Sequence, residues 1–192
     1  MFKCRQEHPI KGDQLAVPKE VAFWYDLVMT SKEVLDIYLK SETTGVKLWI
    51  DGGWGVDALL GRQTRPHKDL DIAIEQKDLT KFLEILAARG YKEVKRDSEW
   101  NFVVADNRGE EVDIHVFIRN EQGNVVGGIK YPRQSLTGMG TIDGSNVRCI
   151  SAEWVIKFHS GYDLKQKDFQ DVSALCKKFG IDLPAVYAKF IK

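Results

Sequence analysis

The sequence predicts an α+β protein, with a mixed sheet flanked by helices in the middle of the chain and further helices added at its C-terminus. Three observations carry this. The middle holds short apolar runs rich in β-branched and aromatic residues, over residues 46–50, 69–74, 100–105 and 111–118, separated by Gly, Asp and Asn. The last of these alternates strictly: Val112, Ile114, Val116 and Ile118 face one side, and Asp113, His115 and Phe117 the other. Both ends of the chain instead carry apolar residues at the three- and four-residue spacing of a helix with one buried face.

Taken in order, residues 1–17 are polar and aperiodic, a loosely ordered lead-in. Pro18 suits the first turn of a helix reaching about Lys40, with Val21, Trp24, Val28, Val34, Ile37 and Tyr38 at helical spacing. Thr30 and Ser31 offer a cap that would divide it in two. Residues 46–50 read as a buried strand, broken by Asp51, Gly52 and Gly53. Trp54, Val56, Leu59 and Leu60 then have helical spacing up to Gly61, a C-cap. A basic segment (Arg62, Arg65, His67, Lys68) leads into a strand opening with Asp69 and Asp71. A helix from about Asp78 ends at Arg89-Gly90. Residues 91–96 and 100–105 are strands, and a turn at 106–109 pairs the second with 111–118 as a hairpin. Residues 120–144, rich in Gly, Asn, Asp and Pro around Tyr131-Pro132-Arg133, read as a long, partly irregular loop with short strands. Residues 147–150 form a further strand. Ser151 caps a helix to about Gly161, residues 167–179 form another stopped by Gly180, and Pro184 opens a last short one. The expected organisation is a lead-in over residues 1–17, a core over 18–150 and a helical segment over 151–192.

Composition narrows the class. Among 192 residues, 28 basic side chains balance 28 acidic ones, so the basic excess of a nucleic-acid-binding protein is missing and a small-molecule substrate is favoured. Cys4, Cys149 and Cys176 are odd in number and form no C-x-x-C, which reads as reduced thiols, neither a disulfide frame nor a zinc site. No run is long enough to span a bilayer and no apolar signal core is present, so a cytoplasmic protein with no membrane partner is expected.

The chemistry concentrates at Asp69 and Asp71. Residues two apart on a strand share a face, so both carboxylates point one way while Leu70 and Ile72 point the other. At about 4 Å and an effective dielectric near 20, their repulsion is roughly 4 kcal/mol. Either one stays protonated or a cation sits between them; Mg²⁺ with substrate phosphates fits, because that ion takes one or two carboxylates and fills its shell with phosphate oxygens and water. The upstream basic residues suit a phosphate-bearing ligand. The paired glycines one strand earlier allow a ligand to approach the backbone.

GGWGVD, the run G-R-x-x-R-x-H-x-D-x-D, the later VDIH and the CIS and FHSGYDL wording together resemble the nucleotidyltransferase superfamily with a polymerase-β-like core. The chain is most similar to the small lincosamide nucleotidyltransferases and more distantly to aminoglycoside 2″-nucleotidyltransferases. The likeness spans about residues 49–175. It implies a polymerase-β-like core closed by the C-terminal helices. The implied reaction is Mg²⁺-dependent transfer of a nucleoside monophosphate, AMP by preference, from ATP or another nucleoside triphosphate to a hydroxyl of a small molecule, with release of pyrophosphate.

By this resemblance Asp69, Asp71 and Asp113 hold two Mg²⁺ ions. Asp113 serves as ligand to the ion that activates the hydroxyl, as general base, or as both. Gly52 and Gly53 form a phosphate-facing loop at a helix N-terminus, with Trp54 and Asp57 in the same motif: Trp54 in the core, Asp57 bracing the loop or a basic residue. Arg65 and His67 contact phosphate or orient Asp69. Lys165 and Lys167 reach the β- and γ-phosphates. His115 and His159 read as structural. The acceptor wall draws on residues 120–141 and 151–161, where Val125, Val126, Ile129, Tyr131, Leu136, Met139, Trp154 and Phe158 outnumber the acidic Glu121 and Glu153. An apolar wall suits a lincosamide better than a polycationic aminoglycoside. The alternatives are aminoglycoside transfer, a protein-modifying or toxin–antitoxin-type transferase, and a non-catalytic nucleotide-binding relative. A haloacid-dehalogenase-type phosphatase is set aside, because its nucleophilic aspartate ends a strand whereas this pair opens one.

Overall fold

The computed structural model describes residues 28–161 and 163–191, so the lead-in at 1–17 and the helix start at Pro18 lie outside the described residues. Helix α1 (Ser31–Thr43) begins where Thr30 accepts the Glu33 N–H at 3.3 Å and the Glu33 carboxylate accepts the Thr30 N–H at 2.8 Å, a reciprocal cap. β1 (Leu48–Ile50), α2 (Gly52–Leu60), β2 (Asp69–Glu75) and α3 (Gln76–Ala87) follow, then β3 (Lys92–Ser98), β4 (Asn101–Ala105), β5 (Glu111–Arg119) and β6 (Val125–Gly128). A 3-10 turn (Arg133–Thr137) leads to β7 (Gly138–Ile142) and β8 (Ser145–Cys149). α4 (Ala152–Phe158), α5 (Gln166–Phe179) and a 3-10 turn (Ala185–Phe190) complete the described chain.

The strands form one mixed sheet in the order β3-β4-β5-β2-β1-β8-β7, with β6 also paired to β5. β2 lies parallel to β5 and β1 parallel to β8, while β1–β2, β4–β5 and β7–β8 are antiparallel. This is the mixed sheet with flanking and C-terminal helices that the sequence predicts. The core sits where the alternation placed it: Leu70, Ile72, Ile74, Val112, Ile114 and Val116 are all buried. α1 packs on β1 and on α3, and α3 packs on β2 and β5. β3 is exposed at every position because it forms one edge of the sheet.

The stretch read as a long loop is more regular than expected. β7 and β8 form a tight hairpin across Asp143-Gly144, with φ of 44° and 77°. Both values lie in the left-handed region that a two-residue type I′ turn requires and that Asp-Gly favours. That dipeptide was the available signal for the second hairpin. β7 escaped notice because Gly-Met-Gly carries no alternation.

Candidate active site

Sheet register builds the site. β2 and β5 run parallel with Asp71 directly opposite Asp113 and Asp69 opposite Glu111, so Asp71 and Asp113 stand side by side on one face. His115, two residues on, shares that face. Asp69, first residue of β2, is exposed at the mouth. β1 ends beside them: the Asp51 N–H donates to the Asp71 carbonyl at 2.9 Å, and Asp51 caps α2, its Oδ1 accepting the Gly52 N–H at 2.8 Å.

The two glycines make room for the protein's own side chains. Gly52 has φ of 54°, and a Cβ there would stand 1.9 Å from Asp71 Oδ2; a Cβ on Gly53 would stand 2.3 Å from His67 Nδ1. The glycines therefore let Asp71 and His67 lie against the start of α2, which presents its positive end to the same cleft.

Burial is the leading cause that pushes the Asp71 carboxyl up to about 7, reinforced by Asp69, Asp51 and Asp113 and partly offset by His115. No described residue donates it a hydrogen bond. A half-buried carboxylate among three others and without donors is suited to a divalent cation. Asp71, Asp113 and His115 offer ligand atoms that all lie within 4.8 Å of one another. Asp113 behaves oppositely: burial raises its carboxyl, but contacts with His115 and the Asn101 amide, which donates at 2.8 Å, hold it below the ordinary range.

Two polar chains flank the carboxylates. In one, the Tyr131 hydroxyl donates to Asp51 Oδ2 at 2.8 Å and lies 2.9 Å from His115 Nδ1, while His115 Nε2 lies 3.4 Å from Asp113 Oδ1. In the other, Asp57 Oδ2 is 2.5 Å from His67 Nε2, Arg65 donates to His67 Nδ1 at 2.9 Å, and Arg65 also donates to Asp171 Oδ2 at 2.9 Å. Arg65 is cationic and has no acceptor, so His67 Nδ1 carries the lone pair and Nε2–H points to Asp57. This second chain ties α2, the segment before β2 and α5 together.

A cleft of about 300 Å³ opens over Asp69, Asp71 and His115, with Asp113 beside Asp71 but outside the lining. The sheet side contributes Asp51, Gly52, Gly53, Asp69, Asp71 and His115, with Arg65 and His67 at one rim; the C-terminal helices contribute Phe158, His159, Lys167 and Asp168. Of the residues assigned to the nucleotide, Gly52, Gly53, Arg65, His67 and Lys167 line it. Trp54 and Asp57 do not: Trp54 is buried against His67, ring centroids 4.9 Å apart, and buried Asp57 also accepts the Thr64 N–H at 3.0 Å. Lys165 is exposed outside the lining, where its N–H donates to Asp168 Oδ2 at 2.7 Å. Of the apolar residues expected to form the acceptor wall, Phe158 lines the cleft and Tyr131 is buried behind it, ring centroids 5.7 Å apart. Trp154 and Met139 line a separate groove with Leu59 and Phe179.

Sequence reasoning missed Asp51, Asn101, Asp168 and Asp171, and left His115 as a structural residue. The period of two on β5 puts His115 beside Asp113 and was the signal available. Asp168 and Asp171 reach the site through the fold of α5, which no local pattern reveals.

The model of the aminoglycoside-2″-adenylyltransferase family matches residues 33–175. A lincosamide resistance protein of Staphylococcus haemolyticus is 33% identical over 155 residues, covering 77% of this chain and 94% of the relative. A 2″-aminoglycoside nucleotidyltransferase of Escherichia coli is 28% identical over 123 residues, 62% of this chain and 67% of the relative. The crystal structure of the lincosamide antibiotic adenylyltransferase LnuA with lincomycin bound superposes with a TM-score of 0.70 at 30% identity, over 81% of this chain and 99% of that one. ANT(2″)-Ia in complex with adenylyl-2″-tobramycin matches in fold, with a TM-score of 0.68 at 23% identity over 83% of this chain and 95% of that one.

Proposed function

The chain belongs to the aminoglycoside-2″-adenylyltransferase family and is a nucleotidyltransferase, and from that premise we propose that it moves AMP from ATP onto a hydroxyl of a lincosamide antibiotic, releasing pyrophosphate. The observation that carries the reading is the pairing of Asp71 with Asp113 across parallel strands, with Asp69 at the mouth and no described donor to Asp71. Asp69, Asp71 and Asp113 would hold two Mg²⁺ ions. Ions held by these three residues would supply Lewis-acid polarisation of a phosphate and neutralisation of its charge.

The remaining work falls to the chain's own groups. The N-terminus of α2 and Lys167 hold the triphosphate, the first through its dipole and the second as a point charge. Asp113, kept ionised by His115 and Asn101, accepts the proton of the attacking hydroxyl. Arg65 and His67 act mainly by bracing the segment that delivers Asp69. Residues 151–192 supply the wall that closes over the nucleotide, through Phe158, Lys167 and Asp168. No described helix is long and apolar enough to cross a membrane, and ATP as donor fits a cytoplasmic reaction.

Phe158 gives the cleft an apolar flank for the ring of a lincosamide, and the relative similar over 94% of its length is a lincosamide resistance protein. The acidic lining of Asp51, Asp69, Asp71 and Asp168 favours a polycationic aminoglycoside as the second reading. Mass spectrometry of lincomycin and kanamycin after incubation with the protein, ATP and Mg²⁺ separates them. A gain of one AMP on lincomycin is expected; a gain on kanamycin alone would establish the second reading, and a gain on neither would remove both.

A further inference from the structure

We propose that His115 Nε2 is a protein ligand, together with Asp71 and Asp113, of the divalent ion on the acceptor side, and that this centre therefore holds Co²⁺ or Zn²⁺ more tightly than Mg²⁺. The inference rests on the metal-dependent reading above and goes beyond it in the ligand set and the class of ion.

The orientation of the imidazole is fixed from behind. Tyr131, 3% exposed, gives its hydroxyl proton to Asp51 Oδ2 at 2.8 Å. The Tyr131 oxygen can then only accept from His115, so Nδ1 carries the proton of that 2.9 Å contact. With no ion present, Nε2–H points at Asp113; a divalent ion that displaces this proton meets the Nε2 lone pair among the carboxylates. An imidazole whose far N–H is anchored on a hydrogen-bonded partner is the usual second shell of a metal-bound histidine.

Distance agrees with that role. Nε2 stands 3.4 Å from Asp113 Oδ1. Two ligands each about 2.1 Å from one ion are about 3.0 Å apart at a right angle and about 3.4 Å apart at a tetrahedral one. The atoms of Asp71, Asp113 and His115 all fall within 4.8 Å, so the widest pair closes by at most about 1.4 Å to share a tetrahedral ion. Asp69, which the resemblance made an equal partner, is not part of this set and stays exposed at the mouth, where it can serve the nucleotide-side ion.

The donor set then selects the ion. Mg²⁺ prefers oxygen ligands and a near-ideal octahedron, whereas imidazole nitrogen suits Co²⁺ and Zn²⁺ and raises their advantage over Mg²⁺. The opposing possibility is a proton: with Nε2 protonated, the same 3.4 Å contact is an ion pair with Asp113 and no ligand.

Titration of the full chain with Co²⁺, followed by its visible absorption and by competition with Mg²⁺, decides between them. Wild type is expected to bind Co²⁺ at least about tenfold more tightly than Mg²⁺. His115→Gln should weaken Co²⁺ by about ten- to a hundredfold while moving Mg²⁺ by less than about threefold, and Tyr131→Phe should weaken Co²⁺ by a smaller factor. Should either variant misfold, ¹⁵N-histidine NMR of wild type with added Zn²⁺ gives the answer alone. The Nε2 resonance of His115 should move from a protonated position to a metal-bound one. Equal Co²⁺ affinity in wild type and His115→Gln, or a protonated Nε2 that Zn²⁺ leaves unmoved, overturns the proposal and leaves the Mg²⁺ reading standing. Absence of binding by both ions would overturn the two together.

Discussion

Asp71 and Asp113 are the same residue type on neighbouring strands, yet their surroundings drive them apart. The Asp71 carboxyl sits at about 7 against an ordinary 3.8, whereas Asp113 lies below the ordinary value. With a chelator present, the folded chain keeps a proton on Asp71 that the unfolded chain gives up near pH 4. Stability from that proton is full below pH 4 and is lost as the pH rises towards 7. The melting temperature in chelator should therefore fall across pH 4 to 7, and Asp71→Asn should flatten the fall; an unchanged slope in that variant would assign the effect to other groups. Asp71→Asn should also abolish transfer without unfolding, since it removes a charge and no core contact. Asp113→Asn should lower kcat by several orders of magnitude with little change in nucleotide binding, because Asp113 works on the acceptor hydroxyl. Steady-state kinetics beside nucleotide titration separates the two, and equal, mild losses would contradict both roles. Gly52→Ala should be as damaging as either, because its Cβ would meet Asp71 Oδ2 at 1.9 Å on a backbone with φ of 54°.

At the scale of elements, the ion pair from Arg65 to Asp171, backed by His67 and Asp57, helps hold α5 over the cleft. Lys178 adds a second tie at the far end of α5, donating to the Leu59 carbonyl at 2.8 Å. Asp171 is nearly buried and Arg65 is 29% exposed, so removing one partner should cost about 1–3 kcal/mol, below the range of a fully buried pair. Asp171→Asn is expected to raise KM for ATP about tenfold, since α5 carries Lys167, while kcat falls less. A stability loss with both constants unchanged would reduce the pair to a fastener. Elements also set how much was legible in advance. The strand–turn–helix at residues 48–60 and the strand at 111–119 follow from local pattern, so residues alone put Asp113 on the non-core face of its strand, while its place beside Asp71 came only through the resemblance. The β7–β8 hairpin was partly hidden by its glycines. The placement of Asp168, Asp171 and Tyr131 depends on helices and loops returning over the sheet, which depends on packing at long range and leaves no trace in local spacing. Trp154 shows the same limit: its helical position is plain, but the side of α4 it occupies sends it to another groove.

For the molecule as a whole, metal and nucleotide binding should be visible as stability. Ligand at a hundred times its Kd adds about 2.7 kcal/mol, which for a chain of this size is a rise of roughly 5–10 °C in Tm. Mg²⁺ with ATP should produce that shift where either alone produces less, and the shift should vanish in Asp71→Asn; differential scanning fluorimetry suffices to check it. The β2–β5 ladder has a further consequence, for the order of events during folding. Asp71 and Asp113 are roughly forty residues apart in the chain and meet only when parallel strands close a long loop through α3, β3 and β4. No hairpin or helix formed early can present both carboxylates. During refolding, recovery of ion binding should therefore coincide with amide protection in β2 and lag behind that of the β4–β5 hairpin.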